Sequence, residues 1–451
     1  MKTIKIRKGL DLPLGGDAER QVVDARAIDR YAVKPTDVVG FVPRLLVAEG
    51  DTVYAGQPLM ADKADPRITL PSPVDGVVGA IVRGEKRRLL EVVVCRNNQT
   101  NQSNQTNQSN QSNQNNQSNQ NILTPEAPVW WMLRERPFGT IANPDHKPKG
   151  IFVSMRDTNP LAPDIDFALR GREHEFEAGI AALGRLAEVQ VVRAEGPHPA
   201  GNIGTIVGAL SPINKGECIW HVGAQDVANI GRWVSTGEYR PERVVSAAGP
   251  AAKAPKHYRL ICGACIEQIS DVQLMNPQYP VIANAAGTRI ISGSVLSGTQ
   301  IAPDGFLGMY DQQITFVEEG NQYEFMGWLM PGISKFSFSR TFLSGMMHDF
   351  VPKPFREMMP SLQSPFNTNT HGSVRPFLFT GQFERVFPLD IYPLQLIKAC
   401  IVGDIELQEQ LGIYEVEPED FALCEFIDPS KTDIQTIIRE ALEVLRKEAT
   451  A

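Results

Sequence analysis

The chain has 451 residues, 42% of them hydrophobic, and a formal net charge of −8. That length accommodates about three domains with sizeable cores, and an acidic chain without a basic block argues against nucleic acid as the main partner. There is no run of about 18 apolar residues to span a bilayer, and Met1-Lys2-Thr3-Ile4-Lys5-Ile6-Arg7 has no apolar core of signal-peptide length. The expectation is a soluble cytoplasmic chain that meets a membrane only through partners.

Residues 1–34 read as a mixed N-terminal arm, with an extended stretch that ends in the turn Gly15-Gly16. Residues 35–96 follow a pattern of short strands and turns: Gly50-Asp51, Gly56-Gln57 and Asp75-Gly76 interrupt alternating apolar residues. The pattern resembles the lipoyl and biotinyl carrier fold, a barrel-sandwich of two packed sheets. Asp62-Lys63-Ala64 looks like the tip that carries the modified lysine. Lys63 lies eight residues before Pro71, with Asp65-Pro66-Arg67 between them. The resembling carrier hairpin is two residues shorter, so Lys63 is expected to be an unmodified lysine on an exposed loop. Residues 97–121 are only Asn, Gln, Ser and Thr. Such a tract has nothing apolar to bury and is expected to be a disordered linker.

Residues 122–257 read as a Rossmann-like α/β domain. Apolar runs at 150–155, 189–193, 218–222 and 243–246 are the strands, and Phe176, Ile180, Leu183 and Leu186 give 173–186 the spacing of an amphipathic helix. Asp226 is placed to cap a helix bearing Val227, Ile230 and Val234. Strands alternating with helices imply a parallel sheet covered on both faces. Between the second and third strands lies Glu195-Gly196-Pro197-His198-Pro199-Ala200-Gly201-Asn202-Ile203-Gly204-Thr205. A glycine-rich loop at the carboxyl end of a strand is where such sheets hold anionic ligands. This one is not G-x-G-x-x-G, and Pro197 and Pro199 each remove an N–H donor. Gly196, His198, Gly201 and Gly204 therefore read as structural residues of a relic loop without a nucleotide. On the other reading, His198 is a polar contact to a ligand.

Residues 258–330 carry short strands between glycines, at Val281-Ile282, 288–292 and 313–317, and read as a small β-grasp domain. Residues 331–451 begin with an aromatic region containing Phe336, Phe338, Phe342, Phe350 and Phe355, a core or a docking surface, and end in helices. The helices are Pro393–Val402, then 405–411 with Gly412 as its C-cap, and a last one opened by a capping box from Thr432 to Gln435. The last presents Ile434, Ile437, Ile438, Ala441 and Leu445 on one face.

Of the six cysteines, Cys262 and Cys265 form the one C-x-x-C pair. A structural zinc needs a second pair or histidines at ligand spacing. The seven histidines, among them His174, His221 and His371, show no such spacing, so the cysteines read as ordinary thiols.

A set of blocks in fixed order gives the whole chain a resemblance: Lys8-Gly-Leu-Asp-Leu-Pro13, Arg136-Pro-Phe138, Pro160-Leu-Ala-Pro-Asp164, Gly196-Pro-His-Pro-Ala-Gly201, Gln225-Asp226, Ala248-Gly-Pro250, Ile291-Ser-Gly-Ser-Val-Leu-Ser-Gly298, Phe325-Met-Gly-Trp328 with Met330-Pro-Gly332, and Pro388-Leu-Asp390. It resembles the NqrA family of the sodium-translocating NADH:quinone oxidoreductases. The resemblance implies a peripheral component on the cytoplasmic side of the bacterial inner membrane, beside five others (B to F), above all the membrane-embedded NqrB component. It also implies distant kinship with the NADH-binding flavoprotein of respiratory complex I, which orders an α/β domain, a β-grasp (SLBB-like) domain and a helical end. Those kin carry a flavin loop and a four-cysteine cluster. Here Cys400 and Cys424 stand alone near the C-terminus and cannot supply four thiolates. The expectation is a chain with no tightly bound cofactor, with flavin and iron–sulfur centres in partner subunits, and with ubiquinone or a related quinone as ligand. Matching quinone positions are Val39, Gly40 and Phe41, with Phe138 stacking on the ring and Arg136 bonding a carbonyl oxygen. The competing readings make Phe138 core, Arg136 an interdomain ion pair, and the whole chain a scaffold that never touches quinone.

Overall fold

The computed structural model describes residues 1–25, 28–96, 122–274, 287–321, 338, 366–370, 373–378 and 381–450. The polar tract, the Val281-Ile282 strand and Phe336, Phe342, Phe350 and Phe355 lie outside the described residues.

Alternation of apolar residues between glycine turns builds the first unit. Arg30–Val33, Leu89–Arg96, Gly76–Arg83 and Thr52–Val53 form a four-stranded sheet in that order; Pro43–Leu45, Pro58–Asp62 and Thr69–Pro71 form its three-stranded partner. Val53, Leu59, Met60, Leu70, Val78, Val92 and Val94 fill the space between, none more than 1% exposed. This is the expected barrel-sandwich. Lys63 is exposed just beyond Pro58–Asp62. The extra hairpin residues have a use of their own: Arg67 pairs with Asp65 at 2.7 Å and with Asp145 of the next unit at 2.6 Å.

The α/β unit is a six-stranded sheet. Lys2–Lys5, Val189–Glu195, Ile151–Ser154 and Ile219–His221 run parallel, and Arg134–Arg136 with Thr140–Ile141 close the edge antiparallel. Two sequence expectations change here. The outer strand comes from the N-terminal arm. The run at 243–246 is a strand, Glu242–Ala248, but belongs to the second sheet, where it pairs antiparallel with Lys256–Ile261 and parallel with Gln313–Glu318. The sequence pattern shows a strand's period but not its partner. Helices Glu173–Leu183 and Ala224–Thr236 meet glycine to backbone: Gly179 lies on the Val227 carbonyl and Gly231 on the Glu175 carbonyl.

The second sheet runs Thr299–Ile301, Thr288–Ser292, Gln313–Glu318, Glu242–Ala248, Lys256–Ile261 and Glu19–Asp24, followed in sequence after Lys256–Ile261 by helix Glu267–Leu274. Its edge strand is again lent by the arm. The C-terminal unit packs helices Phe383–Val386, Pro393–Val402, Ile405–Gln410, Ala422–Ile427 and Ile434–Thr450 around Phe383, Phe387, Leu394, Phe421, Ile438 and Leu442. Gly412, at φ +88°, follows the third of these helices as expected. The expected capping box is replaced: Asp433 caps the last helix, accepting from Thr436 N at 3.2 Å, while Gln435 donates its backbone N–H to Glu425 and its side chain to Leu296 O. Among the described residues no helix is long and apolar enough to cross a membrane.

Between its two strands the arm runs over the molecule. Leu10, Leu12 and Leu14 bury in the helical unit's core, and Gly16 accepts from Gly249 N at 3.0 Å. One short segment thus touches the α/β, helical and second-sheet units in turn.

Candidate functional site

The glycine-rich loop leaves Val189–Glu195 and enters helix Ile203–Leu210. Its donors are taken up by the chain itself. His198 N donates to Asp11 Oδ1 and Gly201 N to Thr158 Oγ1, each at 2.9 Å, while the His198 carbonyl accepts from Leu10 N of the arm at 2.8 Å. Gly196, at φ +142°, lies against the Ile6 carbonyl. Gly204, in the first turn of the helix, lies directly beneath the Asp420 carboxylate. A helix amino end favours an anion, and here the anion is a side chain of the helical unit. Asp420 is held there by Arg136 at 2.5 Å and by Glu417 N at 2.9 Å.

His198 is 1% exposed, with Nδ1 3.3 Å from Thr158 Oγ1. Burial pushes its imidazole down to about 4, against a weaker opposing pull from Asp11, so the ring is neutral at physiological pH. Glu419 shows the opposite shift: burial, then repulsion by Asp420, pushes its carboxyl up to about 7. The loop is thus bordered by a neutral histidine, an ion pair and a carboxyl that titrates near neutrality.

The quinone candidates divide into two groups. Arg136 is 1% exposed and sealed against Asp420, with Nε 3.5 Å from Glu417 Oε1. Burial opposes its charge, and the neighbouring Asp420 and Glu417 more than offset that, leaving its pKa raised. Its guanidinium is an interdomain tie and is not presented to a ligand. Phe138 is half-buried on the helical core, edge-on to Tyr414 with centroids 6.4 Å apart, and its carbonyl accepts from Arg439 at 3.0 Å. Val39, Gly40 and Phe41 form a half-buried turn of the barrel. A Cβ on Gly40, which has φ +74°, would stand 3.2 Å from Thr140 Cγ2 and 3.2 Å from Arg446 Cζ. The turn 39–41 and the segment 138–140 therefore meet at helix Ile434–Thr450, and Arg136 lies inside that seam.

A buried polar cluster was missed from the sequence. Asp226 is not a cap. It is 4% exposed and holds Arg243 through both carboxylate oxygens at 2.8 Å, joining the α/β unit to the second sheet. Arg243 also donates to the Met309 carbonyl and lies 6.0 Å from the Trp131 ring centroid. Gln225 pairs with the backbone of Val244 in both directions, at 2.7 and 3.0 Å, as a strand would. The Gln225-Asp226 block was the available signal: two polar residues in the first turn of a helix whose opening turns are buried need partners. Burial also raises the thiols, Cys218 to about 11 and Cys262 and Cys400 each to about 12, which keeps them protonated near neutrality.

Three family models match in chain order: the NqrA N-terminal barrel-sandwich hybrid domain over residues 4–97, the NqrA second alpha/beta domain over 114–239, and the NQRA C-terminal domain over 244–302. Among curated relatives, the NqrA chain of the Na(+)-translocating NADH-quinone reductase of Rhodopirellula baltica is 36% identical over 467 residues, 98% of either chain. Its counterpart in Haemophilus influenzae is 35% identical over 468 residues, and that in Pasteurella multocida 36% over 468, each spanning 99% of this chain and 100% of the relative. The chain belongs to the NqrA family of the Na(+)-translocating NADH-quinone reductases.

Proposed function

We propose that the chain supports quinone reduction in a sodium-translocating NADH:quinone reductase without a redox cofactor of its own. In this reading flavin and iron–sulfur centres belong to partners among the B to F components, and the chain sits on the cytoplasmic side of the inner membrane against the membrane-embedded NqrB component. The observation that carries the reading is the seam at the last helix, where Gly40 of the barrel turn 39–41 approaches Thr140 and Arg446 while Arg439 of the same helix donates to the Phe138 carbonyl. Half-buried aromatics such as Phe41 and Phe138, with Arg446 and Arg439 of the helix near their segments, suit a flat quinone ring with polar edges. Arg136 takes an anchoring part instead of donating to a carbonyl oxygen, because it is buried against Asp420 and beside Glu417.

The test is photolabelling of the assembled complex with an azido-ubiquinone. Label within residues 39–41 or 136–138 is the expected result. Label confined to the other components, with a complex that fails to assemble when this chain is withheld, would replace the quinone role by a scaffold role.

A further inference from the structure

At the antiparallel edge of the α/β sheet, three ligand-type side chains from three segments converge. Glu135 comes from strand Arg134–Arg136, His146 from the loop after Thr140–Ile141, and Cys218 from the residue before Ile219–His221. Their ligand atoms all lie within 4.8 Å of one another, and His146 Nδ1 is 2.7 Å from Glu135 Oε1. We propose that Glu135, His146 and Cys218 form a divalent metal site, with zinc as the fitting ion and water as its fourth ligand.

Glu135 is only 5% exposed. Trp220 Nε1 and Asn143 N both donate to its Oε2, at 2.9 and 3.1 Å, which fixes the carboxylate and turns Oε1 toward His146. Outer partners that hold one oxygen and free the other are what a metal-ligating carboxylate needs. No lysine or arginine pairs with Glu135 among the described residues. One thiol, one imidazole and one carboxylate select zinc over magnesium or calcium, which take oxygen ligands. A tetrahedral ion with bonds of about 2.0–2.3 Å sets its ligands roughly 3.3–3.6 Å apart. Closing separations of up to 4.8 Å to that range takes changes of up to about 1.5 Å. His146, whose side chain is 51% exposed, and the partly exposed Cys218 have room to supply them. The same exposure lets water take the fourth position. On binding, the Cys218 thiol gives its proton to solvent and its sulfur bonds the ion. His146 binds through Nδ1, with the ring proton of the bound form on Nε2. Glu135 binds through its carboxylate oxygen Oε1.

The experiment uses the purified full chain, stripped with a chelator and then titrated with zinc against a chromophoric chelator, and separately with cobalt(II) as a spectroscopic stand-in. One equivalent of zinc and a thiolate-to-cobalt charge-transfer band are expected. His146→Ala, at a half-exposed position, should weaken binding at least about tenfold. Cys218→Ser should abolish the band, whereas Cys95→Ser at the exposed cysteine should leave it intact. Failure to bind stoichiometric zinc, cobalt bound without the band, or a band that survives Cys218→Ser would overturn the site.

Discussion

Gly204→Ala separates two effects of opposite sign. Gly204 lies inside helix Ile203–Leu210, where alanine is the better residue by about 1 kcal/mol. On helix propensity alone the variant is more stable. A Cβ there, however, would fall well inside contact distance of both Asp420 carboxylate oxygens. Asp420 is 4% exposed and tied to Arg136 and Glu417 N, so it has no rotamer to retreat to without breaking the pair. Loss of a buried pair costs about 3–5 kcal/mol because the remaining charge is uncompensated. The balance is a net loss of roughly 2–4 kcal/mol. Urea unfolding followed by tryptophan fluorescence reads it, since Trp130, Trp131 and Trp220 lie in the same core. Asp420→Asn in the Gly204→Ala background should add less than it does alone, because both changes break one contact. A Gly204→Ala variant as stable as the parent, or more so, would refute the view that Asp420 fills this loop.

Two pH responses should run in opposite directions. His198 has a folded value of about 4, below its ordinary 6.5, so its contribution is present above about 6.5 and lost as pH falls toward 4; His198→Gln should flatten the fall between pH 7 and 5, on the order of 2 kcal/mol. Glu419, raised to about 7, contributes stability below its unfolded value that is lost as pH rises through 7; Glu419→Gln should stabilise at pH 8 and do nothing at pH 4, by no more than about 1 kcal/mol since the residue keeps partial contact with solvent. Gly231→Ala drives a methyl into the Glu175 carbonyl and should cost at least about 2 kcal/mol in denaturant unfolding, despite alanine's helical advantage. The intact mass of the protein should show no lipoyl or biotinyl adduct at Lys63, and Lys63→Ala should leave the melting temperature unchanged.

The parts of this fold that were legible share a short range. Barrel strands announce themselves by alternation between glycine turns, and Pro393–Val402 by a proline at its start and an apolar face. What stayed hidden is pairing over long sequence distances. Lys2–Lys5 lies beside Val189–Glu195, and Glu242–Ala248 leaves the sheet of the preceding strand Ile219–His221 to pair with Gln313–Glu318; neither pairing leaves a trace in local periodicity. The two prolines in the glycine loop marked it as a poor anion cradle. That Asp420 fills the place could not be read, because it and Arg136 are 284 positions apart. Glu135, His146 and Cys218 likewise match no ligand spacing, since three segments must fold together before they meet.

Among the described residues, the blocks that carried the family resemblance share a location; Phe325 to Trp328 and Met330 to Gly332 lie outside the described residues. Lys8 to Pro13 clasps the loop at His198; Pro160 O accepts from Gln313; Gly249 meets Gly16; Leu296 O accepts from Gln435; Arg136 and Phe138 join the helical unit. These are seams between units, not the interiors of single cores. The physical reason is that a core tolerates many apolar sets of the right volume. A seam instead needs one particular backbone approach or one polar partner, because an unpaired buried group is costly. Gly16 shows this at a single position: at φ +88°, a side chain there would strike the Gly249 backbone. Substituting such a residue should loosen one unit from another before it unfolds either. Hydrogen exchange on Gly16→Ala should therefore rise first in Glu19–Asp24, with the barrel strands protected as before. Uniform loss of protection across the barrel as well would mean that the units fold as one body and that the seams have no separate role.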